Sequence, residues 1–337
     1  MDLVNFLILI VKILVVVLAL LTGFAYITWL ERKLMALFQV RVGPNRVGPF
    51  GLLQPLADGL KLAMKEDITP TFADKVVFVA APMISLIAAL IAFSIIPFGP
   101  DVTIMGREIP LNIAADISVG FLFLLAVTSL GVYGIVLAGW SSGSKYSLFG
   151  AMRSSAQMIS YELAMGLSLV SVLVASGSLI PGEIASRWWI IPQLPAFVIF
   201  LICMFAETNR APFDLVEAEQ ELVAGFHTEY SSFKFALFYM AEYINMVTFS
   251  ALAVTLFFGG WQGPLAGTDS VLGPALGALL GVLYFIAKIV VFIFFYIWIR
   301  ATLPRIRYDR LMALGWKVLL PAALVWLGIT AVWVVFK

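Results

Sequence analysis

Long apolar runs alternate with shorter polar stretches along the whole chain. Those near residues 13–30, 76–96, 117–139, 163–180, 188–206, 235–260, 271–299 and 318–336 are each close to the roughly 20 residues that a helix needs to cross a bilayer core about 30 Å thick. Helices keep their backbone hydrogen bonds internal, as lipid requires. None of the runs shows the apolar–polar alternation of a β-barrel wall. The pattern predicts an all-α polytopic membrane protein with about eight transmembrane helices, and residues 1–337 read as a single integral membrane domain.

The first polar connection has its own periodicity. Leu53, Leu56, Ala57, Leu60, Ala63 and Met64 fall on one helical stripe, while Gln54, Asp58, Lys61 and Lys65 take the other face. Pro55 suits a first helical turn. This is an interfacial amphipathic helix. It either packs on the bundle or borders a lateral opening for a lipid-like ligand.

Lysine and arginine then set the orientation. They collect in 31–75, 140–162, 207–234 and 300–317, which are expected to be cytoplasmic loops. Both termini are expected outside. The first run is preceded by Asp2 rather than a basic start, so it is expected to stay as an anchor.

The composition narrows the chemistry. Of 337 residues, 62% are hydrophobic and 12% charged, with mean hydropathy +1.03. One cysteine, Cys203, and one histidine, His227, cannot supply the usual ligands of an iron–sulfur cluster, a bis-histidine haem or a structural zinc. No catalytic triad, phosphate-cradling loop or metal-ligand spacing occurs. The expectation is no cofactor in this chain, no metal site, no catalytic residue and no nucleic-acid partner.

Against that background the carboxylates stand out. Residues 207–221 hold Glu207, Asp214, Glu217, Glu219 and Glu221, with Glu229 and Glu242 following. Acids beside bilayer segments are costly and mark ion or proton paths. Glu217 and Glu221, four apart on a helix, would repel. A solvated acidic face is the plain alternative, but the flanking Leu215, Val216, Leu222 and Val223 are apolar and no basic residue lies between Arg210 and Lys234. Coupled protonation suits such a cluster better. Glu242 interrupts an apolar run, so it should be buried, paired or protonated. Glu162, at the start of the fourth run, has a similar setting.

Several stretches together resemble one family. Glu31-Arg-Lys, Arg41-Val-Gly-Pro-Asn-Arg-Val-Gly-Pro, Gly51-Leu-Leu-Gln-Pro-Leu-Ala-Asp, Ser144 to Arg153, Ser160-Tyr-Glu162, Ala206-Glu-Thr-Asn-Arg-Ala-Pro-Phe-Asp-Leu and Trp298 to Arg310 look like the H subunit of proton-pumping NADH–quinone oxidoreductase, the counterpart of mitochondrial complex I membrane subunit 1. The resemblance covers nearly the whole chain. It implies a subunit that forms the membrane side of a quinone chamber. Quinone is then the substrate, and the iron–sulfur clusters and FMN belong to partner subunits. The implied partners are peripheral-arm quinone-site subunits, small and antiporter-like membrane subunits, and membrane lipid. By the same resemblance Arg32, Asp58 and Arg300 match quinone-chamber or access-tunnel positions. Glu162, Glu207, Asp214, Glu217, Glu219, Glu221, Glu229 and Glu242 match a proton path. A membrane subunit of a respiratory hydrogenase or formate-hydrogen lyase would share the fold and acids without quinone. A free-standing ion transporter would work without partners.

Overall fold

The computed structural model describes residues 3–100, 102–104, 107–114, 117–215, 223–263 and 274–336. In chain order these form α1 (Leu3–Phe38), α2 (Gln54–Met64), α3 (Lys75–Phe93), a short antiparallel pair β1 (Val102–Ile104) and β2 (Arg107–Ile109), α4 (Gly120–Ser141), α5 (Lys145–Ser176), α6 (Pro181–Ile184), α7 (Leu194–Glu207), α8 (Ser232–Phe257), α9 (Pro274–Thr302), α10 (Tyr308–Leu314) and α11 (Leu320–Val335). A π turn over Gly315–Leu319 joins α10 to α11. Pro321 follows it, and its ring cannot fit against a regular preceding turn.

Among the described residues, seven helices are long and apolar enough to cross a membrane, α10 and α11 counting together as one. The chain is a multi-pass, all-α membrane protein. α7 is shorter than the expected span at 188–206. Its 14 residues reach about 21 Å at 1.5 Å per residue. Pro192 and Pro195 account for the late start, since proline is accepted in a first turn but not inside a helix.

Two helices extend past their expected ends. α1 runs on to Phe38. α5 begins at Lys145, so most of the stretch 140–162 is helix. Several of its polar residues turn inward, and Ser147, Ser154 and Gln157 are fully buried. Gln157 donates to the carbonyls of Ala206 at 2.8 Å and Phe213 at 2.9 Å. Hydropathy alone reads such a segment as a loop.

α8 lies at the centre, with most of its length buried. α3, α4 and α5 pack closely through small residues. A Cβ on Gly134 would stand 2.0 Å from Ser85 Oγ, and one on Gly139 would stand 2.3 Å from Ala151 Cβ. Asp74 caps α3, accepting from the amides of Val76 and Val77. Pro82 lies inside α3 and has no N–H for the Phe78 carbonyl. Tyr230 supplies the missing donor, its hydroxyl reaching Phe78 O at 3.1 Å while its ring stacks on Phe78 at 4.0 Å. Burial pushes the Tyr230 phenol up to about 12, with a hydrogen bond to Ser141 opposing. Lys288 in α9 spends its charge on the end of α8, donating to the carbonyls of Phe258, Gly260 and Gln262 at 2.6–2.9 Å.

The stripe on α2 faces outward. Leu53, Leu56, Leu60 and Met64 are all exposed, and no residue of α2 is buried. The stripe does not pack on the bundle, and its position suits a membrane interface.

Candidate functional site

One end of the bundle holds a cavity of about 710 Å³. Its wall comes from α1, the turn at Arg41 to Arg46, Gln54 of α2, the segment Asn209 to Asp214, the start of α8 and Arg300 of α9. The long α1 places Glu31 and Arg32 side by side at this depth.

Glu31 is a junction. Only 8% of its side chain is exposed, and it holds two guanidinium groups and a phenol. Arg210 Nη1 donates to its Oε1 at 3.1 Å and to Oε2 at 3.3 Å. Tyr243 donates to Oε2 at 2.6 Å. Arg300 Nη1 pairs with Oε1. A buried carboxylate stays ionised only when compensated in this way.

Arg210 is shared in turn. Its Nε lies 2.6 Å from Glu242 Oε1, an ion pair. Its guanidinium stands 4.3 Å from the centre of the Tyr243 ring. Burial disfavours the charge, but Glu242, Tyr243 and Glu31 together raise its proton affinity further above the ordinary arginine value.

A second cavity, about 50 Å³, lies behind the first. Glu207, His227 and Asn245 line it, and Asn209, Tyr239 and Glu242 line both cavities. Glu207, at the end of α7, is 3% exposed, and its Oε2 has no hydrogen-bond partner among the described residues. Glu162 lies within electrostatic reach of Glu207. The long α5 places Glu162 in mid-helix rather than at a helix start, and Ser129 of α4 donates to it.

The sequence profile of the NADH dehydrogenase family matches residues 11–331. The chain is 52% identical over 345 residues to the second NADH-quinone oxidoreductase H subunit of Koribacter versatilis (strain Ellin345), covering 97% of each chain. The chain belongs to the NADH-quinone oxidoreductase H-subunit family. It is also 54% identical over 314 residues to the H subunit of Frankia alni (strain DSM 45986 / CECT 9034 / ACN14a), covering 91% of this chain and 68% of that one. Against the H subunit of Frankia casuarinae (strain DSM 45818 / CECT 9043 / HFP020203 / CcI3) the figures are 53% over 328 residues, 95% and 71%.

Within this H-subunit fold, the residues singled out from sequence fall into groups. Arg32 and Asp58 pair at 2.7 Å, and Gln54 donates to Asp58 at 3.0 Å. Arg32, Gln54 and Arg300 line the large cavity, while Asp58 stands behind Gln54 rather than in the wall. Asp214 lines it too and pairs with Arg305 at 3.0 Å. Glu207 and Glu242 meet at the small cavity, with Glu162 nearby. Glu229 is part-buried and lines neither. Glu217, Glu219 and Glu221 lie outside the described residues.

Sequence reasoning missed Glu31, Arg210 and Tyr243 as a unit. Glu31 and Arg210 look like interfacial charges at the ends of apolar runs. The available signal was Arg210 itself, the one cation close to so many acids.

Proposed function

We propose that the 710 Å³ cavity is the membrane side of a quinone chamber and that Glu242 connects it to a chain of buried carboxylates. The observation that carries this reading is the position of Glu242 on the wall of both cavities. On one side it faces Arg32, Arg210 and Arg300; on the other it faces Glu207 and His227. A cationic wall suits a ligand that becomes negative on reduction. A polar void between two acids is roomy enough for ordered water.

In this reading the chain works inside an assembled NADH–quinone oxidoreductase, within a cell inner membrane. Its partners are the peripheral-arm quinone-site subunits and the small and antiporter-like membrane subunits, and the clusters and FMN are theirs. The outward stripe of α2 borders the lateral path by which a lipid-borne quinone reaches the cavity. Arg32 and Asp58 stand along that path, and Arg300 receives the head group. Glu242, Glu207 and Glu162 pass the charge change into the bundle, so that quinone reduction drives proton translocation. The four Lys- and Arg-rich connections face the cytoplasm, with both termini outside.

The test is photolabelling of the assembled complex with a photoreactive quinone. Label at cavity residues such as Met35 and Tyr239, displaced by unlabelled quinone, is expected. Competed label confined to other parts of this chain would overturn the chamber.

A further inference from the structure

Four charges alternate in sign across this site: Arg300, Glu31, Arg210 and Glu242. Each inner member contacts both of its neighbours. Arg210 is 8% exposed and cannot leave for water, whereas the Arg300 side chain is 39% exposed and opens on the cavity. Tyr243 fixes the middle of the row. It donates to Glu31 Oε2, and its ring centre stands 4.3 Å from the Arg210 guanidinium.

The geometry points to Arg210 as a charge exchanger between Glu31 and Glu242, which makes the freedom of Arg300 depend on the charge of Glu242. This rests on the chamber reading above. With Glu242 ionised, the four groups sum to zero and Arg210 is divided between two carboxylates. A proton on Glu242 leaves Arg210 to Glu31 alone. Glu31 is then better compensated and holds Arg300 less tightly, so the arginine turns to the cavity and the row carries a net positive charge. The reverse follows by linkage. Negative charge in the cavity draws Arg300 off Glu31, Glu31 draws Arg210, and Glu242 takes up a proton. Glu31, Arg210 and Tyr243 are thus positioning residues for the chamber.

The surrounding charges leave this row distinct. Arg32 is taken by Asp58 and Asp214 by Arg305. Arg41 and Arg46 line the same cavity from the first connection. Glu207 and His227 face Glu242 from the small cavity.

The experiment uses the whole complex in membrane vesicles and two competing probes of NADH–quinone turnover. One is a hydroxynaphthoquinone that is anionic at neutral pH; the other is a neutral short-chain benzoquinone. Glu242→Gln mimics the protonated acid. It is expected to tighten the anionic probe about fivefold or more relative to the neutral one. In an Arg210→Gln background, where no charge is left for the two acids to share, that gain should vanish. Should this variant fail to assemble, Tyr243→Phe carries the test and should reduce the gain. A gain that survives both backgrounds overturns the exchanger, because Glu242 then acts directly through space. Equal changes for both probes also overturn it. If neither probe competes with quinone in the parent complex, the chamber reading itself fails and takes the exchanger with it.

Discussion

Arg210 Nε lies 2.6 Å from Glu242 Oε1, and the pair stands where the two cavities share a wall. A cation there has a structural duty whatever the chemistry. Without it the buried Glu31 would keep Arg300 and Tyr243 alone among the described residues, and Glu242 would lose its ion pair. Arg210→Leu should therefore destabilise the subunit by about 3–5 kcal/mol, the range for removing one partner of a buried pair. The amount of assembled complex in the membrane measures this. Assembly at the parental level would show that the pair is dispensable.

Tyr230 allows a prediction away from the chemistry. Its hydroxyl satisfies the Phe78 carbonyl that Pro82 leaves open. Tyr230→Phe keeps the ring stack and orphans the carbonyl, a loss of about 1–3 kcal/mol. Turnover at moderate temperature should be unchanged, with thermal inactivation shifted downward. An unchanged inactivation profile would mean that the carbonyl finds another donor.

Much of this was legible in the sequence because lipid imposes length and polarity on every span. The apolar runs that became α3, α4, α8 and α9 are plain in the chain. The stripe from Leu53 to Met64 likewise gave α2 and its outward face. Hydropathy failed where polar residues point inward. Ser147, Ser154 and Gln157 disguise the first half of α5, and Glu31 disguises the depth of α1. Glu207 and Glu242 could be picked out singly as costly acids. Their meeting at one cavity could not, because it joins α7 to α8 through tertiary packing. The Tyr230 bond to Phe78 spans 152 residues and leaves no local trace.

The first connection offers a test of access. Gly59 lies on α2, and a Cβ there meets nothing within 4 Å. The fold can take a side chain at that point. Gly59→Trp should raise the apparent KM for a long-chain quinone severalfold and leave NADH oxidation by a water-soluble acceptor intact. Equal loss of both activities would indicate failed assembly and remove α2 from the path.

Sidedness is open to chemical labelling. After Cys203→Ser, single cysteines at Arg46, Arg153 or Arg307 should react with an impermeant reagent only from the cytoplasmic face, and one at Ser178 only from outside. Labelling of Arg153→Cys in sealed, intact cells would reverse the topology.

The most direct test of the account is Glu242→Gln in the assembled complex. The substitution keeps size and hydrogen bonding but removes the charge that Arg210 shares and the proton that the small cavity would pass on. The measurement is NADH–quinone turnover together with protons pumped per electron, in sealed vesicles with assembly verified. Turnover and pumping should both fall, because Glu242 is where the two cavities join. Full turnover with full pumping per electron would reduce Glu242 to a structural acid and contradict the coupling of the chamber to the carboxylates behind it.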